Sequence, residues 1–248
     1  MMIALGRFFF RFRGTVFPFL LLFALLVGTP RHLLNDAGSD VYLDVVGALV
    51  ALLGLVVRGA TIGYEYIVRG GRNRQVYADT LVQGGVYAHT RNPVYLGNGL
   101  LVLGCALIIN APEFYLVALP LTALAYGSII AAEEAYLRDK FGGEFDAYCR
   151  RVNRILPRLS GFRQSTEGMR FNWRRLIVKE YNTIFGAIAA VAALSIWDDY
   201  RIVGESALPT VRFALAFAIP WLVAYVVVWG LKKTRRLQAE LPQARQSV

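Results

Sequence analysis

Six runs of apolar residues divide the chain: Val16 to Gly28, Val41 to Val57, Val94 to Ile109, Phe114 to Ala132, Thr183 to Trp197 and Phe213 to Leu231. A helix that crosses a bilayer needs roughly 20 mainly apolar residues, and it must satisfy its backbone polar groups within the segment. Each run approaches or reaches that length. The expected fold is therefore all-α, a polytopic membrane helix bundle of about six transmembrane helices. Composition agrees, with 56% of residues hydrophobic and only 18% charged.

The first run is short, contains Pro18 and follows Arg7, Arg11 and Arg13, a layout shared by secretory signals and membrane helices. No small-residue cleavage site follows in Gly28-Thr29-Pro30-Arg31-His32, so an uncleaved first helix is expected. Basic residues then set the topology, because Lys and Arg in short loops stay on the cytoplasmic side. The first, third and fifth loops carry Asp36, Asp40, Glu113, Asp198, Asp199 and Glu205, with only Arg31, Arg201 and Arg212 as cations. The other side carries the N-terminal arginines, Arg69, Arg72, Arg74, Arg91, the dense run from Arg138 to Lys179, and Lys232, Lys233, Arg235 and Arg236. Both termini are expected in the cytoplasm of a multi-pass protein in a bacterial-type inner membrane.

A net charge of +10 in a soluble protein would point to nucleic acid. Here it follows from topology and from anionic lipid at the inner leaflet, and no nucleic-acid partner is expected. Cys105 lies in the third run and Cys149 in a cytoplasmic segment, so no disulfide joins them. His32 and His89 fall on opposite sides of the membrane, and no metal site is expected.

Three regions follow along the chain: residues 1–158 with four helices and a cytoplasmic tail, a linker over 159–175, and a two-helix extension over 176–248. Phe171, Trp173, Arg170, Arg174, Arg175 and Lys179 make an interfacial lead-in to the fifth helix. In that helix Gly186, Ala187, Ala189, Ala190 and Ala193 would permit close packing. Trp197, Tyr200, Trp221 and Trp229 read as belt or packing residues, and Pro220 as a kink in the sixth helix.

The exception to this apolar plainness is Gly85 to Asn98, which sets Tyr87, His89, Arg91, Asn92, Pro93, Tyr95 and Asn98 around the mouth of the third helix. Part of it has a purely structural explanation. Asn92 is a strong helix cap, and Pro93 fits the first helical position, where its missing N–H would lack a partner anyway. Arg91 beside free helix N–H groups would attract an anion, and Gly97 and Gly99 permit close approach of a ligand or another helix.

Glu133 and Glu134 end the fourth run. The short turn Asn110-Ala111-Pro112-Glu113 makes helices three and four an antiparallel hairpin, which brings these acids to the same face as Arg91. Adjacent helical residues point about 100° apart, so one acid should face a ligand and the other an arginine or solvent. Cationic and anionic groups converging there suit a zwitterionic, amino-acid-bearing cofactor.

The ordered set Leu81-Val82-Gln83-Gly84-Gly85-Val86-Tyr87, Arg91-Asn92-Pro93-Val94-Tyr95-Leu96-Gly97, Glu133-Glu134, Leu137, Phe141-Gly142, Tyr148, Val152, Arg154 and Pro157 resembles the isoprenylcysteine carboxyl methyltransferase and phospholipid methyltransferase superfamily. The likeness spans residues 80–158. Val86 stands where proline is common, Asn92 where histidine is, and Phe145 where tyrosine is frequent; Asn92 weakens the link to the prenylcysteine branch. The resemblance implies an integral membrane enzyme that transfers a methyl group from S-adenosylmethionine to a membrane lipid or lipid-like substrate, by carboxylate O-methylation or amine N-methylation. It implies a cytoplasmic cofactor pocket at the helix 3 to helix 4 hairpin, lined by Arg91, Asn92, Pro93, Glu133 and Glu134, with Tyr87, His89, Tyr95, Gly97 and Asn98 as weaker members. Arg91, Glu134 and Arg154 are the candidates for work on the reacting groups. Two other functions stay open from sequence: an NADPH-dependent reductase of the sterol and steroid type, whose motif lacks Arg-Asn-Pro, and a non-catalytic helix bundle. The oligomeric state is unread.

Overall fold

The computed structural model describes residues 1–12, 37–64, 78, 80–203 and 208–237. All regular structure among them is helical: α1 (2–12), α2 (Ala37–Tyr64), a 3₁₀ turn (Gly85–Ala88), α3 (Pro93–Ile109), a π turn (Phe114–Ala118) running into α4 (Leu119–Phe141), α5 (Gly143–Arg151), the single turn α6 (Phe162–Ser165), α7 (Trp173–Val203) and α8 (Leu208–Lys233). The expected first helix over Val16 to Gly28, with His32, lies outside the described residues, as do Arg69, Arg72 and Arg74.

Four helical stretches are long and apolar enough to cross a membrane: Val41–Tyr64, Phe114–Phe141, Trp173–Trp197 and Leu215–Lys233. The chain is a multi-pass membrane protein. Its outward side chains fit lipid rather than water, with Leu49, Leu52 and Val56 on α2 and Phe217, Leu222 and Val226 on α8 all exposed. The third run forms α3, only 17 residues long. At 1.5 Å per residue that is roughly 25 Å, against a hydrocarbon thickness of about 30 Å. With Gly97 against Gly54, α2 runs on to Tyr64 while α3 begins only at Pro93, so the polar mouth of α3 is recessed relative to the end of α2.

The α3–α4 turn follows from Asn110, a residue type that tolerates the left-handed conformation it adopts (φ 43°, ψ 41°). Its N–H closes onto the Ala106 carbonyl, and the Phe114 N–H bonds back to Ala111. Beneath the turn, Ala106, Ile108, Ile109, Phe114 and Ala118 pack with Leu194 of α7. At the opposite end Gly142, at φ +51°, breaks α4 from α5 in a conformation other residues avoid. There Leu137, Phe145, Tyr148, Val152 and Ala78 form a second core.

Helices α2 and α3 run antiparallel in backbone contact. A Cβ on Gly47 would lie 2.7 Å from the Gly104 carbonyl, and one on Gly97 would lie 2.8 Å from that of Gly54. Among the described residues, nothing lies within 4 Å of a Cβ on Gly186, and the buried residues of α7 include Val178, Tyr181 and Leu194. α8 approaches α7 on aromatic rings: Phe185 against Trp221 at 4.2 Å between centroids, and Tyr181 against Tyr225 at 5.6 Å. α8 continues helical through Pro220.

The second apolar run stops at Val57 and the fifth begins at Thr183, so Arg58 and Glu180 lie just outside them. In the structure both lie inside helices, because α2 extends to Tyr64 and α7 starts at Trp173.

Candidate active site

An irregular segment next to a membrane must find partners for its own polar groups. Residues 87–92 find theirs on residues 148–158. Tyr148 donates its hydroxyl to the Tyr87 carbonyl at 2.8 Å, and the Arg91 N–H bonds to the Asn153 carbonyl at 2.9 Å. The Arg158 N–H bonds to the His89 carbonyl at 3.0 Å, and the Thr90 hydroxyl to that of Ile155 at 2.9 Å. Gln83 ties the start of the motif to α5, donating to Glu144 and accepting from Arg151.

Asn92 belongs to this strap and does not cap α3 with its side chain. Its backbone carbonyl accepts the Leu96 N–H, but the side chain makes no cap bond. Nδ2 instead donates to the Arg154 carbonyl at 3.0 Å. Pro93 takes the expected first-turn position. His89 is buried, with Nδ1 on the Arg158 carbonyl and Nε2 2.7 Å from the Ser165 hydroxyl. A carbonyl only accepts, so the proton sits on Nδ1.

The two acids diverge. Glu134 Oε1 accepts from Arg91 Nε at 3.2 Å and Nη2 at 3.1 Å, and its Oε2 pairs with Arg154 Nη2 at 2.9 Å. Arg91 Nη1 also donates to the Cys149 and Val152 carbonyls, at 3.1 and 2.9 Å. The anion at Arg91 is thus the chain's own Glu134, and the guanidinium clamps α4 to the end of α5. Arg154 is the open member, with its side chain 46% exposed. Beside them burial pushes the Cys149 thiol above its ordinary value, against the pull of Arg91.

Glu133 is different. It is 8% exposed; Tyr95 donates its hydroxyl to Oε1 at 2.7 Å, while Oε2 has no hydrogen-bond partner among the described residues. A buried carboxylate oxygen left this way is costly and is the natural receptor for a donor from outside the chain.

Gly97 and Asn98 point elsewhere in the bundle. A Cβ on Gly97 would lie 2.5 Å from Arg58 Cγ, so this glycine lets the arginine stem pass, whereas no described residue lies within 4 Å of a Cβ on Gly99. Asn98 Oδ1 accepts from Arg58 Nη1, and the Asn98 amide also hydrogen-bonds Tyr126. Sequence reasoning missed Arg58, Glu180 and Tyr126. The available signal was a lone arginine, Arg58, between Val57 and Gly59-Ala60 at the end of an apolar run, and an acid, Glu180, three residues ahead of the fifth run.

Residues 44–144 match the sequence model of the phospholipid methyltransferase family. The cobalt-zinc-cadmium resistance protein CzcN of Cupriavidus metallidurans is 33% identical over 122 residues, 48% of this chain and 54% of that protein. The nickel-cobalt-cadmium resistance protein NccN of Alcaligenes xylosoxydans xylosoxydans is 28% identical over 145 residues, 58% of this chain and 63% of that protein. Protein-S-isoprenylcysteine O-methyltransferase of Schizosaccharomyces pombe is 29% identical over 134 residues, 52% and 54% of the two chains. The chain thus spans 54 to 63% of the length of these relatives. No solved structure matches it. Residues 44–144, which hold the α3–α4 hairpin, are thus similar to the phospholipid methyltransferase family, and the chain is similar over about half its length to an isoprenylcysteine O-methyltransferase.

Proposed function

We propose that this protein is an S-adenosylmethionine-dependent methyltransferase acting on a lipid-like or isoprenoid substrate that arrives from the bilayer. The observation that carries this reading is the buried Glu133 Oε2, without a partner among the described residues, on a carboxylate held through Oε1 by Tyr95. The ammonium and ribose hydroxyls of the cofactor are the kind of donor it lacks. Bound there, the cofactor supplies an electrophilic methyl group on a sulfonium.

The chain's own contribution is position. Arg91 and Arg154 fix Glu134 from two sides, which leaves Glu133 as the acid that faces the cofactor. Arg154, half exposed, orients an anionic group of the substrate. The recessed mouth of α3 keeps water from the transfer, and α4 continues from Glu134 to Phe141, a further rise of roughly 10 Å that shelters the site. In-line transfer asks chiefly for alignment and shielding. A carboxylate acceptor is already ionised near neutral pH and needs no base, whereas an amine acceptor must be kept neutral.

The test is binding of S-adenosylhomocysteine to purified protein, with NADPH as the contrast. Wild type is expected to bind the former and not the latter. Glu133→Gln should weaken that binding about 10- to 100-fold, the loss of one charge-assisted hydrogen bond worth roughly 1.5–3 kcal/mol. Unchanged affinity in Glu133→Gln would remove this carboxylate from the site. Binding of NADPH in place of S-adenosylhomocysteine would move the chain to the reductase reading. Labelled S-adenosylmethionine supplied to membranes, followed by mass spectrometry of lipid extracts, identifies the acceptor.

A further inference from the structure

A guanidinium and a carboxylate are paired deep between helices. Arg58 of α2 donates from Nε to Glu180 Oε2 at 2.8 Å and from Nη2 to Oε1 at 2.9 Å, with Thr183 of α7 3.3 Å from Nη2. Arg58 is 8% and Glu180 6% exposed. Ionisable groups at membrane depth are costly, and replacing such a pair with apolar side chains is often neutral or stabilising. The pair is not the sole link between α2 and the start of α7, because the Asn172 N–H bonds to the Gly63 carbonyl at 2.9 Å and Arg175 Nη1 donates to that of Ile62 at 3.4 Å.

The pair leads toward the candidate site. Arg58 Nη1 holds Asn98 Oδ1, which leaves the nitrogen end of that amide for the Tyr126 hydroxyl. The Tyr126 ring lies 5.6 Å from that of Tyr95, and Tyr95 holds Glu133 Oε1 at 2.7 Å. Arg58, Asn98, Tyr126 and Glu133 lie within the family-matched stretch of residues 44–144, but Glu180 lies outside it.

We propose that Glu180 and Arg58 are a positioning pair for the candidate site: the α7 carboxylate fixes the α2 guanidinium, and through Asn98, Tyr126 and Tyr95 the pair sets the orientation of Glu133. The two-helix extension is then part of the catalytic apparatus. This inference rests on the methyltransferase reading for its consequence, though not for its geometry.

The full chain is tested in detergent or nanodiscs. The double variant Arg58→Met/Glu180→Met removes both charges together and avoids leaving one of them buried alone. Its melting temperature should stay within a few degrees of wild type, while the dissociation constant for S-adenosylhomocysteine rises at least fivefold. The ¹⁹F resonance of 3-fluorotyrosine at position 95 should also shift without any cofactor present. Unchanged affinity and an unmoved Tyr95 resonance in a folded double variant would reduce the pair to a helix lock and overturn the proposal. If the double variant does not fold, Glu180→Asp, which keeps the charge but retracts it by one methylene, carries the same two readouts. If wild type itself fails to bind S-adenosylhomocysteine, the functional reading falls, while the cofactor-free resonance still decides the coupling.

Discussion

Successive side chains on a helix diverge by about 100°, and at Glu133 and Glu134 that angle separates two kinds of chemistry. Glu134 meets the fixed guanidiniums of Arg91 and Arg154; Glu133 meets one phenol, and its other oxygen has no partner among the described residues. That one acid faces an arginine was readable from sequence, but which one depends on the rotation of α4, and no local pattern encodes it. Asn92 makes the same point in reverse. Its place before Pro93 has every mark of a helix cap, yet its side chain serves Arg154, a residue 62 positions away. Serine caps helices as well as asparagine but is too short to reach that carbonyl. Asn92→Ser is therefore expected to lose stability about as much as Asn92→Ala, roughly 0.5–1.5 kcal/mol for one net hydrogen bond, in thermal unfolding in a single detergent. Recovery of wild-type stability by serine would restore capping as the role of Asn92.

Helices α2 and α3 touch through glycines spaced seven residues apart on each, Gly47 with Gly104 and Gly54 with Gly97. Seven residues is nearly two turns, so each pair lies on one face and the antiparallel backbones approach twice. Gly97→Ala would set a Cβ 2.5 Å from Arg58 Cγ and 2.8 Å from the Gly54 carbonyl, and at least the latter cannot swing away. The expected cost is about 1–3 kcal/mol, together with weaker binding of S-adenosylhomocysteine because Arg58 is displaced. Gly99→Ala, with nothing within 4 Å, should be neutral or slightly stabilising through helix propensity. Equal melting temperatures for the two variants would contradict the packing. Apolar run length made α2, α3, α4, α7 and α8 legible in the sequence, since hydropathy is a property of the segment alone. Interfaces were not legible in the same way. Gly97 was a visible point of close approach whose partner was hidden, and Gly186 looked equally suitable, yet among the described residues nothing lies within 4 Å of a Cβ there.

Topology gathers the site from distant parts of the chain. The end of α2, the start of α3, the end of α4 and the start of α7 lie at one end of the bundle, joined by bonds from Asn172 to Gly63 and from Arg91 to Glu134; the α3–α4 turn lies at the other. The site end also carries Arg138, Lys140, Arg150, Arg151, Arg154, Arg158 and Arg163. By the preference of basic loops for the cytoplasm, that end is expected to face inward, where a polar nucleotide-like methyl donor is made. Single-cysteine labelling of a chain lacking Cys105 and Cys149 tests this in spheroplasts. A membrane-impermeant maleimide should react with Glu113→Cys in the α3–α4 turn and spare Leu159→Cys, whose position is 83% exposed, until the membrane is permeabilised. The reverse pattern would place Glu133 and Arg154 on the outer face, out of reach of a cytoplasmic cofactor. No change at Glu133 or Glu180 could then be interpreted through methyl transfer, so the orientation of the whole molecule is the condition on which the chemistry at its smallest scale depends.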